Sequence, residues 1–357
     1  MAPTTSPPRA DPGGRPRRLG SGATARRPLP RTAGLLLAVL LLLLAVAASL
    51  ALGSRSIPLG TVVDALTGGG PTQDALVVRE LRVPRTLLGL GVGAALGLAG
   101  ALMQALTRNP LADPGLLGVN SGAAAAMVTA VGFLGVTSRT GLVWASMAGA
   151  AVVSVAVYVL GATGRGGATP VRLALAGTAI SAALVAYTSA QLLLDARVFD
   201  RYRFWQNGSL AGQDLSVVRQ TSPFLVLGLL LGLAQARPLN ALALGEDSGR
   251  ALGASVGRTR VLTALAVTLL CGAATAAAGP IWFLGLAVPH VVRAVTGPDQ
   301  RWVLPFSCVL APALLLLADV VGRLVVPPGE LEVSIVTALL GAPVLIALVR
   351  RRRLAQL

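Results

Sequence analysis

Side chains able to do acid–base, nucleophilic or metal chemistry are scarce in this sequence, and the few present lie far apart. His290 is the one histidine, Cys271 and Cys308 are the two cysteines, and all 30 basic residues are arginines. A P-loop needs its lysine on the nucleotide phosphates and a Schiff-base enzyme needs a lysine amine, so neither chemistry is carried by this chain alone. One histidine excludes a histidine metal cluster or a histidine-based triad. Each cysteine sits in an apolar run with no second ligand beside it, as a packing residue does. No catalytic group, resident metal or cofactor is expected. The spacing that does invite a chemical reading is cationic: Arg82 and Arg85 bracket Pro84 immediately before about 20 apolar residues, the length that crosses a hydrocarbon core of ~30 Å. A stiffened arginine pair at a membrane edge suits an acidic partner, or else headgroups reached by snorkelling.

The elements that position these residues are apolar. Of 357 residues, 54% are hydrophobic and 12% charged, with a mean hydropathy of +0.74, a balance that fits a polytopic membrane protein and not a globule. The net charge of +16 sits at the ends of apolar runs and not on one polar face, which argues against nucleic acid. Residues 1–31 are rich in Pro, Gly, Ser, Thr and Arg and read as a disordered cytoplasmic tail, leaving 32–357 as the transmembrane domain. Apolar runs follow at 33–53, 86–106, 115–135, 142–161, 172–194, 221–236, 260–279, 281–296, 302–322 and 334–349. The fold class is therefore all-α with about ten transmembrane helices. An even count puts both termini on one side, and the arginines at both ends make that side the cytoplasm. Gly279-Pro280 reads either as a turn between two spans or as a break within one.

This alternation places 237–259 inside, as the most polar internal segment of that face. Its sequence suggests two short helices joined by glycines, a partner-docking element and not a plain loop. The same alternation leaves Arg79, Arg82, Arg85 and Arg323 outside, against the usual bias of positive charge. Asp319 is the one acid clearly within a span, and it is spaced to pair with Arg323 at i, i+4. Acids in mid-span mark ion-coupled carriers, so a secondary transporter, the competing class, is poorly supported. Gly89, Gly93 and Gly97 share one helix face and permit close helix packing. Asn109-Pro110 and Asp113-Pro114 stop one helix and start the next. Gln104 and Asn109 read as hydrogen-bonding glue or as pathway-lining groups, and Pro280 and Pro289 place hinges around Trp282.

Six ordered motifs carry a resemblance. These are RVPR before the glycine helix, MQALTRNPLADPGLLGVNSGA, WQNGSL at 205–210, LNALALGEDSGRALG, GPIWFLGLAVPHVVRAVTG and ADVVGRLVVPPGELEVSIVTALLGAP. Over about 33–350 the chain resembles the FecCD-type permease subunits of ABC importers for iron(III)-siderophores, haem or cobalamin. The resemblance implies a bacterial plasma-membrane protein, not itself an enzyme, that moves its cargo by alternating access. Its implied partners are two ATP-binding cassette ATPases, an extracytoplasmic substrate-binding lipoprotein, a second permease copy or related chain, and membrane lipid. An iron(III)-siderophore is the commonest cargo, ahead of cobalamin and haem. Arg82, Arg85 and Arg323 would clamp glutamates of the binding protein, and Gly245, Glu246, Leu252 and Gly253 would meet the ATPase. Gln104, Asn109, Pro110, Trp282 and Pro289 would line the pathway or gate. The chain departs from the family pattern in having Trp282 and Pro312 where glycines are usual, and Glu332 and Ser334 where proline and glycine are customary. Trp282 is expected to narrow the pathway, and loss of the proline to loosen the last outer turn.

Overall fold

The computed structural model describes residues 31–70, 72–163, 169–251, 253, 255–326 and 329–350. The tail before Arg31 and the arginines after Arg350 lie outside them. All regular structure among the described residues is helical: α1 (Arg31–Ala51), α2 (Leu59–Thr67), α3 (Gln73–Leu76), α4 (Val83–Thr107), α5 (Val119–Gly132), α6 (Arg139–Ala162), α7 (Pro170–Leu194), α8 (Ala196–Gln206), α9 (Leu215–Ala234), α10 (Ala236–Ala243), α11 (Glu246–Ala251), α12 (Val256–Ala278), α13 (Leu284–Thr296), α14 (Gln300–Val325) and α15 (Val333–Arg350). A π-helical turn, Val77–Arg82, joins α3 to α4, so that the chain is helical from Gln73 to Thr107. Among the described residues, seven helices are long and apolar enough to cross a membrane, and α5, α13 and the start of α15 are shorter apolar helices. Seven and three make the ten spans read from hydropathy.

Helix starts follow from sequence. Ser138, Thr169, Asp195, Asp214 and Asp299 each accept a backbone N–H from the first turn that follows, which satisfies donors a helix leaves open. Gly279, at φ 73°, ends α12, and Phe283, at φ 67°, precedes α13. Gly279-Pro280 is thus a turn between two helices and not a break within one. Helix α8 had no counterpart among the apolar runs, because ARVFDRYRFWQ is too polar to register as a span.

Burial orders the bundle. In α4 and α12, 78% and 72% of the apolar window is buried, against 17% in α7, so α4, α12 and α14 form the centre and α7 lies at the margin. Glycine decides how closely the centre packs. A Cβ on Gly93 would stand 2.8 Å from the Pro312 nitrogen, and one on Gly97 would stand 2.7 Å from the Ser307 carbonyl oxygen. The glycine face therefore accepts α14, and Pro312 fills the room it leaves. At Gly100 the backbone of Gly285 lies against the helix so closely that no side chain fits.

Candidate functional site

Arginines gather at one end of the bundle, and the first helix explains why. The last carbonyls of α1 lack helical partners. Arg82 donates to the Leu50 carbonyl at 2.7 Å and to the Arg55 carbonyl. Arg323 donates to the carbonyls of Ser49 and Leu52 at 3.1 and 3.0 Å. Arg79 serves the end of α2 in the same way, through the carbonyls of Ala65 and Gly69. Cations belong at helix C-termini, where the carbonyl dipoles converge. The unusual placement of these arginines is met by that local demand.

Asp319, 1% exposed, lies beneath them. It pairs with Arg323 at 2.9 Å, as the i, i+4 spacing suggested, and also with Arg85 at 2.8 Å. Arg85 continues to Glu330 at 2.7 Å. Arg82 and Arg323 are 6% and 3% exposed, and their guanidinium groups bond within the chain. All three nevertheless line a depression of about 640 Å³ whose walls include Glu80, Arg139 and Glu330. Arg55, Arg82, Arg85, Arg139 and Arg323 line it against Glu80, Asp214 and Glu330, so its wall keeps an excess of positive charge.

A second cavity, about 710 Å³, lies between α5, α7, α8 and residues 280–286. Ser121, Thr178, Ser181, Thr188 and Ser189 give it hydroxyls, Tyr202, Trp205, Trp282 and Phe283 give it aromatic rings, and Asp113 is its one charged lining residue. Ser121 and Ser181 share a hydrogen bond of 2.9 Å, and the hydroxyl of Thr188 is buried without a partner. Asp113 spends one oxygen on the Gly115 N–H at 2.7 Å. Such a wall offers many weak contacts and no strong cationic grip. Helix α7 turns its hydroxyls to the cavity, while Val171, Leu175 and Leu193 stand exposed along it.

Of the expected pathway residues, Trp282 lines this cavity and the others do not. Pro289 cannot donate to the Gly285 carbonyl four residues back. Gln104, fully buried, supplies that bond from α4 at 3.4 Å, donates to Leu286 O at 3.2 Å and accepts from Arg293. Gln104 and Pro289 are therefore two halves of one structural repair. Asn109 and Pro110 sit on the far surface, where the Asn109 carboxamide oxygen accepts the Leu111 N–H at 3.0 Å and holds the turn.

Glu332 and Ser334, where α15 begins, both hydrogen-bond to Asn207. Asn207 donates to Glu332 at 3.1 Å, and Ser334 donates to the Asn207 carbonyl at 2.6 Å. These hydrogen bonds tie the WQNGSL loop to α15.

At the end of the bundle opposite the arginines, α10 and α11 form the two short helices expected within 237–259. Gly245 and Gly253 take φ of 105° and 84°, the left-handed region in which a side chain is strained. Glu246 pairs with Arg260 and Arg250. Leu252 lies outside the described residues.

Sequence reasoning missed the Arg85–Asp319 pair, helix α8 and the hydroxyl wall. The wall did carry a signal. Thr178, Ser181, Thr188 and Ser189 recur at near-helical intervals within an apolar run, a polar stripe that needs something polar to face.

Comparison with known proteins agrees with these features. Residues 41–351 match the model of the FecCD transport family. The ferric enterobactin transport system permease protein FepD of Escherichia coli K12 is 49% identical over 88% of this chain and 94% of its own length. The probable siderophore transport system permease protein YfiZ of Bacillus subtilis 168 is 39% identical over the same shares. A solved metal-chelate type ABC transporter chain in an inward-facing conformation superposes with a TM-score of 0.79, at 28% identity, over 90% of this chain and all of that one. With its helical bundle, paired end structures and apolar spans, the chain belongs to the FecCD transport family, as a multi-pass membrane permease subunit of an ABC importer and not an enzyme.

Proposed function

We propose that this permease carries an iron(III)-siderophore across the bacterial plasma membrane by alternating access, driven by ATP that a separate ATPase pair hydrolyses. The cavity beside α7 carries this reading: its hydroxyl and aromatic wall suits a bulky chelate that must slide and not stick, and α7 leaves an apolar margin for a second permease to close the pathway. Siderophore permeases among the relatives support the cargo class. A haemin permease of Yersinia pestis, 36% identical, shows that one architecture serves more than one chelate.

In this reading the arginine end is extracytoplasmic and both termini are cytoplasmic. A carboxylate of the substrate-binding lipoprotein enters the depression floored by Arg82, Arg85 and Arg323, and competes there with Asp319 and Glu330. The ATPases seat on α10 and α11, with Gly245, Glu246, Leu252 and Gly253 at the contact. Closure of the ATPases on ATP moves these helices and switches the open side of the cavity.

Uptake into proteoliposomes tests the proposal. Transport of a ferric siderophore is expected only when permease, ATPase, binding protein and ATP are all supplied. Uptake that persists without the ATPase and follows an ion gradient would favour a secondary carrier instead.

A further inference from the structure

Helix α10 packs Leu239 and Leu242 into the core, and one side chain, Asn240, hydrogen-bonds it to α14. Asn240 donates its amide to the Asp299 carboxylate at 2.6 Å and accepts the Gln300 N–H at 2.9 Å. Among the described residues these are the only side-chain hydrogen bonds that α10 makes. They fall on the cap and first residue of α14, where Asp299 also accepts the Arg301 N–H at 3.0 Å. Two bonds of opposite sense fix both the distance and the rotation of α10 against α14. Partial burial alone would raise the Asp299 pKa, but the Arg301 N–H and the Asn240 amide hold it below the usual carboxylate range, so the acceptor stays charged at neutral pH.

Helix α14 then runs for 26 residues, about 39 Å, with Pro305 and Pro312 inside it. It lies against the glycine face of α4 and carries Asp319 and Arg323 near its far end. One continuous helix therefore has the cytoplasmic short helices at its start and the arginine cluster at its finish. Coupling between distant sites can travel through a packed element whose arrangement both sites bias.

We propose that Asn240 is the positioning residue that passes the movement of α10 to α14, and through α14 to Asp319 and Arg323 at the binding-protein face. The inference rests on the permease reading above, with α10 and α11 as the ATPase seat. It adds a residue on the α14 side of that seat, apart from Gly245, Glu246, Leu252 and Gly253, and a route to the opposite face.

Asn240→Asp sets two carboxylates against each other and opens the contact. Asn240→Asp with Asp299→Asn restores it with donor and acceptor exchanged, and asparagine still caps α14. In proteoliposomes containing ATPase and binding protein, Asn240→Asp is expected to lower binding-protein stimulation of ATP hydrolysis by roughly fivefold. The ATP spent per chelate imported should rise, and the exchanged pair should restore both quantities. Co-purification of the ATPase is measured first, with Asn240→Ala as a second variant. Loss of the ATPase from both variants would make Asn240 a docking residue and overturn the proposal. Unchanged stimulation in Asn240→Asp, or a loss that the exchange does not recover, would overturn it too. If wild-type protein itself needs no ATPase, the permease reading fails and not this inference alone.

Discussion

Replacing Gly100 by alanine should destabilise the bundle by more than about 3 kcal/mol, at or beyond the upper end of ordinary overpacking, and leucine there should abolish accumulation in the membrane. The added Cβ would stand 2.6 Å from Gly285 Cα and inside the contact distance of the Gly285 carbonyl oxygen. Those are backbone atoms, which cannot rotate aside as a flexible side chain can. Helices α4 and α13 would have to separate. Separation would also part Gln104 from the Gly285 and Leu286 carbonyls, leaving a buried polar group unpaired on each side. The control is Gly257→Ala, in a helical position with nothing within 4 Å of the added atom, which should cost nothing and gain up to about 1 kcal/mol. Thermal denaturation of the detergent-purified proteins compares the three. A Gly100→Ala protein as stable as wild type would show that α13 does not cross α4 at this point, and the placement of Trp282 and Phe283 on the cavity would fall with it.

Asp319→Ala is expected to cost about 3–5 kcal/mol, the range for removing one partner of a buried ion pair. Its carboxylate stands between Arg85 and Arg323, and both guanidinium groups are nearly enclosed. Without it, two like charges face each other where little water can reach. Arg323 would keep the α1 carbonyls, and Arg85 would keep Glu330. Glu330→Gln removes the outer and more exposed carboxylate, so it should cost only about 0–1 kcal/mol. A large loss for Asp319 with a small one for Glu330, in the same unfolding assay, supports the described network. Equal losses would contradict it. The pair also bears on docking. A reversed charge at Arg82 would strip the cap from α1, so failed docking in an Arg82→Glu variant would report the fold as much as the partner. Arg85 leaves the α1 cap intact, but its buried pair with Asp319 requires that stability be measured beside docking.

What was legible in the sequence followed from solvent and local geometry. Ten apolar runs became ten helices because the bilayer leaves a backbone few other ways to satisfy itself. Asp319 and Arg323 were readable as a pair because a helix fixes i, i+4 neighbours. Glycines at 245 and 253 marked the turns around the short helices, and both have positive φ. The Arg85–Asp319 pair joins residues 234 positions apart, and no local rule reports a contact of that span. The capping bonds of Arg82 went unread for a related reason. Its sequence neighbours show a cation at a membrane edge, but the carbonyls it serves belong to α1, some 30 residues earlier. Gln104 was singled out as hydrogen-bonding glue or a pathway group and Pro289 as a hinge or gate, with nothing to link the two. Only the crossing of α4 and α13 reveals that one supplies the bond the other cannot make.

The central claim is that this chain is the membrane passage of an ATP-driven ferric siderophore importer. Uptake of radioactive iron as the siderophore complex, in bacterial cells whose only ferric-chelate permease is this protein, tests it most directly. Cells with the cognate binding protein and ATPase should accumulate the label, and a Walker-lysine variant of the ATPase should reduce uptake to the level of cells without permease. Undiminished uptake with the inactive ATPase, or entry of haem or cobalamin with no entry of any ferric siderophore, would contradict the account.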